Sequence, residues 1–253
     1  MGTRYRHLGA AALAALSTTT LAEPLWVGRF PAEGTEIPAP WKVEQFDDRL
    51  APTRYTLRQW DGVSAIEAKA KKSMALLARP LTVDLQKTPI LCWQWRIDQA
   101  IAAADMNTKD GDDYAARVYL SFDILPDQLS FGTRVKLSLG RSIFGSQVPD
   151  AAVNYVWDNK HAIGTLQDNA YTDRTRMLVL RSGNGKAGGW VQERRNVLTD
   201  LQRAFGNTEA KGAKLSGLAI ATDTDNTGGE AHAGFADFRF VANTAECAEP
   251  TPN

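Results

Sequence analysis

The residues with the clearest capacity for chemistry lie in one short segment, Ala221 to Glu230, which reads ATDTDNTGGE. Asp223, Asp225 and Asn226 place oxygen-bearing side chains close together, and hard cations such as Ca²⁺ bind several carboxylate and carbonyl oxygens at once. The spacing differs from an EF-hand, because the Gly at loop position six and the Glu at position twelve are missing in that register. The segment therefore predicts either a calcium site at these three residues or a polar turn between two strands.

A second charged segment, KDGDDY, precedes a predicted strand at residues 116–124. Arg117 stands on the polar side of that strand. An arginine in such a position costs desolvation energy unless a carboxylate meets it or the strand face is wet. We therefore expect Asp112 and Asp113 to lie near Arg117.

Further polar and aromatic residues stand at the ends or on the polar faces of other predicted strands, and a sandwich can gather such ends from distant parts of the chain. The candidate ligand-binding residues are Asp112, Asp113, Arg117, Tyr155, Trp157, Asp158, Arg174, Arg176 and Glu193. Carboxylates accept hydrogen bonds from sugar hydroxyls, arginine binds acidic groups bidentately, and aromatic rings stack on sugars. The set predicts a cleft for a saccharide or another hydroxyl-rich or acidic small ligand, with a structural ion-pair network as the alternative.

Paired carboxylates would also suit a glycan-active enzyme of the glycoside hydrolase or lyase type. One of Asp112 and Asp113 would then act with Glu193 or Asp223 as acid and base, at a separation of about 5–5.5 Å for retention or 6.5–9.5 Å for inversion. The sequence assigns no catalytic residue. Two distant histidines beyond the first 22 residues argue against a zinc cluster and against a Ser-His-Asp or Cys-His arrangement.

Short β-like segments separated by turn residues, at intervals near ten positions, predict a mostly β fold, an antiparallel β-sandwich with a few short helices. The predicted strands cover residues 41–46, 54–60, 63–68, 73–78, 81–85, 90–98, 116–124, 152–158, 174–181, 190–194, 215–221 and 233–241. Residues 127–144 fit either an interrupted helix or a loop. Asn196 is placed to cap a helix that ends at Gly206.

Alternation along two of these strands predicts which side chains face the core. In strand 90–98, Trp93 and Trp95 are predicted to be core anchors. In strand 233–241, Ala236, Phe238 and Phe240 are predicted to face inwards, with Phe235 on the opposite face.

The first 22 residues predict a cleaved secretory leader, with a short basic start, an Ala/Leu-rich run and small residues before the cleavage point. The expected division is a leader at 1–22, an extended lead-in at 23–40, one β-sandwich domain at 41–242 and a C-terminal tail at 243–253. Export places the protein in the periplasm or outside the cell. In that oxidising setting Cys92 and Cys247 either pair or stay apart, which only their Cα separation decides.

The chain has 29 Lys and Arg side chains against 29 Asp and Glu. Nucleic-acid binding requires clustered excess Lys and Arg, so a balanced surface argues against a nucleic-acid partner. Beyond the leader, no run reaches the roughly 20 apolar residues that a membrane-spanning helix needs.

Several blocks, taken in order, resemble those of the bacterial family called domain of unknown function 3047. They are WQWR (93–96), KDGDDYAARVY (109–119), YVWD (155–158), YTDRTRM (171–177), the segment around Glu193, and TDTDNTG (222–228). The resemblance implies an exported bacterial protein and a fold similar to carbohydrate-binding jelly rolls. The family name brings no established activity.

The sequence therefore favours an exported, non-catalytic carbohydrate- or glycan-binding β-sandwich that binds calcium or acts without it. The alternatives are the glycan-active enzyme and a structural envelope interaction module. A large exposed apolar patch in place of a polar cleft would favour the module.

Overall fold

The structure is a computed structural model that describes residues 23–34, 36–144 and 148–247. The predicted leader (1–22) and the end of the predicted tail (248–253) lie outside the described residues. Within them the chain forms two sheets that pack as a jelly-roll-like β-sandwich, together with two helices.

One sheet has seven strands. In spatial order they are β2 (Lys42–Glu44), β5 (Leu76–Pro80), β12 (Lys214–Ala221), β7 (Ala116–Asp123), β8 (Ala151–Asp158), β10 (Thr172–Ser182) and β9 (Leu166–Asn169). Neighbouring strands are antiparallel except for the parallel pair β8 and β10. The predicted antiparallel sandwich therefore holds with this one exception.

The other sheet has six strands. In spatial order they are β11 (Val191–Asn196), β6 (Ile90–Ile97), β13 (Glu230–Val241), β4 (Val63–Lys71) and β3 (Arg54–Trp60), with β1 (Leu25–Gly28) paired to β13 as well. Strand β1 lies inside the predicted extended lead-in at 23–40.

The helices are α1 (Phe131–Phe144) and α2 (Val197–Ala210). The structure decides the open choice at residues 127–144 in favour of a helix. Asn196 caps α2 as predicted, since its side chain accepts a hydrogen bond from the backbone N–H of Thr199 at 3.0 Å. Gly206 interrupts α2 with φ 83° instead of ending it. Among the described helices, neither has the length and apolar character needed to cross a membrane.

The core lies between the two sheets and is built around large aromatic side chains. Trp93 and Trp95 are buried in it, as the alternation predicts. The ring of Trp93 stacks on Tyr155 of the opposite sheet at 5.4 Å between centroids, and Trp95 lies 5.8 Å from Trp157. These contacts join β6 to β8 across the sandwich and fix the relative position of the two sheets.

Two local predictions are corrected. In β13 a bulge at Asp237, with φ 60° and a register shift, reverses the alternation, so Phe235 faces the core and Ala236 faces outwards. A bulge inserts one extra residue and changes the face of every residue beyond it. Residues 81–85 form no strand. Their alternating apolar side chains are nevertheless buried, which explains why the pattern resembled one.

The predicted C-terminal tail is tied to the six-stranded sheet by a disulfide between Cys92 and Cys247, with a Cα separation of 5.7 Å. The two cysteines pack with Ile90 and Val241 on the outer side of the sheet. The open question of their pairing is thus decided in favour of a bond.

A charged network covers another part of this outer face. Glu67 accepts hydrogen bonds from Arg58 and from His232 (2.9 Å) and pairs with Lys69 at 3.0 Å, while the second ring nitrogen of His232 lies 2.7 Å from Asp98. Burial raises the pKa of Glu67, but the hydrogen bonds from Lys69, Arg58 and His232 outweigh it and bring that pKa down to about 2.

Candidate functional site

Two charged loops meet at one end of the seven-stranded sheet. One loop leads into β7 and the other leaves β12, and Arg117 and Ala221 are register partners in these neighbouring antiparallel strands. The start of β7 and the end of β12 therefore lie side by side. This pairing brings together residues that are more than 100 positions apart in the chain.

The acidic cluster consists of Asp112, Asp113, Asp223 and Asp225 around Arg117. One carboxylate oxygen from each of Asp113, Asp223 and Asp225 lies within 4.8 Å of the others. Asp113 is fully buried and accepts hydrogen bonds from the backbone N–H groups of Asn226 (3.3 Å) and Thr227 (2.6 Å). The carboxylate of Asp113 thus holds the second loop against the first.

Arg117 is the cation of the cluster and is only 3% exposed. It donates a hydrogen bond to Asp223, and its other amine lies 3.8 Å from Asp112. Its guanidinium lies over the rings of Tyr114 and Tyr119, at 5.1 and 5.3 Å. The expectation that a carboxylate meets Arg117 agrees with this geometry, and the contact offsets part of the desolvation of both charges. The Nε atom and one terminal nitrogen of Arg117 are buried without a hydrogen-bond partner among the described residues.

The cluster contains four carboxylates and one arginine, and its excess negative charge lies mainly at Asp225. The Oδ1 atom of Asp225 and the Oγ1 atom of Thr227 are buried without a hydrogen-bond partner among the described residues. Burial raises the pKa of Asp225, and the nearby carboxylate of Asp113 raises it further. Unpartnered oxygens beside a destabilised carboxylate are the groups that a hard cation would satisfy.

Neutral side chains surround the cluster. Asn169 donates to both oxygens of Asp112 at 3.0 Å, and Asn226 donates to the hydroxyl of Tyr171 at 3.0 Å. The amide of Asn226 is therefore engaged with a neighbouring loop. Asn226, predicted as a metal ligand, donates its backbone N–H to Asp113 and its side-chain N–H to Tyr171, and neither contact uses its side-chain oxygen.

A groove of about 680 Å³ crosses the outer face of the same sheet, over β2, β5, β12, β7 and β8. Small residues such as Ala78, Gly217 and Ala219 line it, which explains why the sheet surface is open there. Phe46, which is 61% exposed, and Tyr119 also line it. Tyr119 joins the groove to the acidic cluster, since its ring contacts Arg117.

Burial raises the pKa of Tyr119 to about 12, even though the neighbouring guanidinium of Arg117 lowers it. Tyr119 is therefore a neutral hydroxyl at physiological pH, able both to donate and to accept a hydrogen bond. Neither Tyr119 nor Phe46 was among the residues predicted from the sequence. Tyr119 lies two residues after Arg117 on the same side of the strand, but nothing in the sequence pattern indicated that this face forms a groove.

Six predicted ligand-binding residues lie elsewhere. Tyr155 and Trp157 are buried in the core between the sheets, so their prediction as a sugar-stacking surface is corrected. Asp158 accepts hydrogen bonds from the backbone N–H groups of Lys160 (2.8 Å) and His161 (2.5 Å), and so closes the turn after β8.

The other three bind structural partners. Arg174 donates to Glu209 at 2.7 Å, and Arg176 pairs with Asp168. Glu193 lies on β11 in the other sheet and accepts hydrogen bonds from Trp95 (3.0 Å) and from Arg181 (2.6 Å). Burial raises the pKa of Glu193, against the effect of Arg181. For these residues the ion-pair network that stood as the alternative describes the structure.

The fold and the site define a two-sheet β-sandwich with an open groove on one face and a buried acidic cluster at its end. The family model described as "Protein of unknown function (DUF3047)" matches residues 39–239, and the chain belongs to this family. This agrees with the resemblance found in the sequence blocks.

Solved structures with a similar outline include a family 12 xyloglucanase from Bacillus licheniformis in complex with ligand, at 10% identity and a TM-score of 0.37, covering 90% of this chain and 100% of that one. The xyloglucanase domain of NopAA, a type three effector from Sinorhizobium fredii in complex with cellobiose, has 10% identity, a TM-score of 0.38, and coverage of 80% and 93%. The Trichoderma harzianum endoglucanase 3 has 7% identity, a TM-score of 0.36, and coverage of 82% and 99%. Likeness at this level assigns no activity to the chain. No curated protein sequence matches it.

Proposed function

We propose that the protein is an exported, non-catalytic saccharide-binding protein whose ligand lies in the groove on the seven-stranded sheet. The observation that carries this proposal is the groove itself, about 680 Å³ in volume. Pockets of about 300–1,000 Å³ are typical of small-ligand sites. A shallow, open groove also suits a chain-like ligand that extends beyond it.

The groove lining supports a saccharide as the ligand. Phe46 and Tyr119 offer aromatic surface for the apolar face of a sugar ring, and Ser121 and Ser216 offer hydroxyls for its polar edge. The charged residues Lys42 and Glu44 are 2.5 Å apart and compensate each other. Arg79 also lines the groove, but its guanidinium donates a hydrogen bond to the backbone carbonyl of Val27 on β1. Because these charged side chains already have partners, a neutral saccharide fits this surface better than an acidic one.

The same lining argues against hydrolysis. Among the described residues, Glu44 is the one carboxylate that lines the groove, whereas glycoside hydrolysis by the usual route requires two. Glu193, the predicted partner, is buried on the other sheet with Arg181, and Asp223 is bound to Arg117. The paired-carboxylate enzyme therefore has no suitable pair at the groove.

Isothermal titration of neutral oligosaccharides, with a reducing-end assay in parallel, tests the proposal. We expect saturable binding without release of new reducing ends. An Ala78→Trp variant, which fills the groove floor, should abolish the binding, whereas Arg54→Trp on the outer face of the other sheet should leave it unchanged. Failure of every saccharide to bind, or equal binding by both variants, would refute it.

Phe46 offers a milder test. Loss of one aromatic contact should weaken binding by about 1–2 kcal/mol, or roughly 5- to 30-fold in Kd, in a Phe46→Ala variant. Phe131→Ala, at a phenylalanine that is 76% exposed and lies outside the groove, is the matched control.

For the acidic cluster we propose a calcium ion held by Asp113 and Asp225, with the hydroxyl of Thr227 as a further oxygen. Asp223 is the poorer ligand, because Arg117 already neutralises it and would repel a second cation. Calcium in this position would neutralise the excess charge and lock the two loops together.

Thermal unfolding with and without calcium tests this site. At free calcium about 100-fold above its Kd, the expected stabilisation is about 2.7 kcal/mol. That corresponds to a rise in Tm of roughly 5–11 °C for a chain of this size. Asp225→Asn should remove the rise, and Asp127→Asn, at an exposed aspartate, should keep it.

The effect should also depend on pH. Asp225 binds calcium as the carboxylate, and its pKa is raised by burial and then by Asp113. The calcium-dependent rise should therefore shrink as pH falls toward this raised pKa, at a higher pH than an ordinary aspartate would give. A rise that persists at pH values well below the range of a normal carboxylate would contradict the assignment.

The disulfide between Cys92 and Cys247 supports export, since such bonds persist in oxidising compartments. Expression of the full chain in a bacterial host should give a periplasmic or secreted protein whose N-terminal sequencing starts at Glu23. A protein that remains in the cytoplasm with Met1 in place would contradict this.

A further inference from the structure

Helix α1 presents an apolar stripe to solvent. Phe131, Val135 and Leu139 are 76%, 52% and 61% exposed and lie one turn apart along one face of the helix. Leu137, on the opposite face, is 4% exposed and packs into the core. The helix is thus attached by one side, and its apolar residues on the other side have no partner within the described residues.

Basic side chains flank this stripe on both sides. Each residue of a helix advances by about 100°, so Arg134 and Lys136 project to either side of Val135 at the centre of the stripe. The helix sequence FGTRVKLSLGRSIF contains no acidic residue. An apolar stripe between basic flanks is the pattern of helices that lie in the surface of an anionic membrane.

The acidic residues next to α1 leave its basic side chains able to bind an anionic surface. Asp150 binds Arg141 at 2.8 Å on the side of the helix that faces the protein. Asp173 binds Lys136 at 3.0 Å, but both side chains are about half exposed or more. Solvent-exposed pairs of this kind are weak and are readily exchanged for another anion.

The size of the stripe favours a lipid surface over a protein partner. A 14-residue helix is about 21 Å long, and a face about 10 Å wide gives roughly 200 Å². A stable protein interface buries about 800 Å² on each partner. A bilayer surface has no such threshold, because a few inserted side chains and nearby basic residues together produce reversible binding.

We propose that α1 is a peripheral membrane-binding helix that docks the exported protein on an anionic phospholipid surface through Phe131, Val135 and Leu139. The groove lies on the outer face of the sheet and does not include these residues. Docking by α1 is therefore independent of the proposed saccharide binding, and each can fail without the other.

Co-sedimentation of the mature full chain with vesicles tests the proposal. We expect binding to phosphatidylcholine vesicles that contain phosphatidylglycerol, and weaker binding to phosphatidylcholine alone. A Phe131→Ser/Leu139→Ser variant should lose at least about tenfold in the partition coefficient. Ile163→Ser, at an apolar residue that is 64% exposed and lies outside both α1 and the groove, should bind vesicles like the wild type.

A second variant separates the charge contribution from folding. Arg134→Gln/Lys136→Gln should lose the preference for anionic vesicles and retain the wild-type unfolding midpoint. Absence of vesicle binding, equal binding by wild type and the Phe131→Ser/Leu139→Ser variant, or self-association through α1 into a dimer on size-exclusion chromatography would each overturn the proposal.

Discussion

Replacement of Arg117 by methionine is the most informative perturbation of the acidic cluster. Methionine keeps much of the volume but removes the charge, so the fully buried Asp223 loses its hydrogen-bonded cation. Asp112 loses its nearest cation as well, at 3.8 Å. The variant therefore contains uncompensated buried carboxylates in the centre of the site.

Removal of one partner from a buried ion pair typically costs about 3–5 kcal/mol, because the remaining charge is left in a low-dielectric environment. Unfolding free energies of about 5–15 kcal/mol are usual, so the variant should still fold. The corresponding fall in Tm is roughly 6–20 °C. Urea unfolding followed by circular dichroism at neutral pH without calcium measures the difference directly.

The second half of the experiment adds Asp223→Asn to the Arg117→Met variant. Because the isolated charge then disappears, we expect about 2 kcal/mol or more of the loss to be recovered. Arg49→Met, which breaks an ion pair on the surface, should leave the midpoint unchanged. A loss below about 1 kcal/mol for Arg117→Met, or no recovery in the double variant, would refute the role of Arg117 as the central cation.

Three further predictions concern the surroundings of the site. The pKa of Glu67 falls from 4.5 to about 2 on folding, so the folded state gains stability that is complete above pH 4.5 and lost as pH falls toward 2. Because the partners of Glu67 are partly exposed, this contribution to the free energy of unfolding amounts to about 1–2 kcal/mol. The urea midpoint of Glu67→Gln should lack this pH dependence, and that of the control Glu230→Gln should retain it. At Gly111 an added Cβ would lie 2.6 Å from a backbone nitrogen, so Gly111→Ala should displace the first acidic loop and reduce the calcium-dependent rise in Tm. Loss of the bond between Cys92 and Cys247, 155 positions apart, should lower stability by about 2–5 kcal/mol, and a urea midpoint that is unchanged by reductant would contradict this.

Local rules in the sequence predict acidic residues near Arg117, but they do not predict which distant strand brings Asp223 and Asp225 to it. Arg117 alternates with core residues on one strand, and an arginine there requires a carboxylate nearby. Asp112 and Asp113 precede that strand directly, whereas Asp223 and Asp225 follow another apolar run. Strand pairing then places both segments at one end of the sheet.

The aromatic residues could not be assigned in the same way, because β8 is buried on both faces. Alternation distinguishes two faces of a strand, but it cannot tell a solvent-exposed face from one that a loop covers. Here Met106 and Tyr114 from the preceding loop cover the outer face of β8. Tyr155 and Trp157 lie on the inner face of β8 and belong to the core. The groove opens farther along the sheet, where the outer face carries small residues and is left uncovered.

Long-range ion pairs were a second reason why site residues were wrongly predicted from the sequence. Glu193 has the residue type of a catalytic acid, and its burial gives it a raised pKa. Its partner Arg181 lies on a strand of the opposite sheet, and no sequence pattern connects β10 with β11 in that way. The bulge at Asp237 was invisible for a similar reason, since an inserted residue leaves the apolar composition of β13 unchanged.

The most direct test is a crystal structure of the mature protein grown with a neutral oligosaccharide. The sugar chain should lie across the seven-stranded sheet in contact with Phe46 and Tyr119, with every glycosidic bond intact. A cleaved product, or an oligosaccharide bound elsewhere while the groove contains only solvent, would contradict the assignment of this face as a saccharide-binding surface.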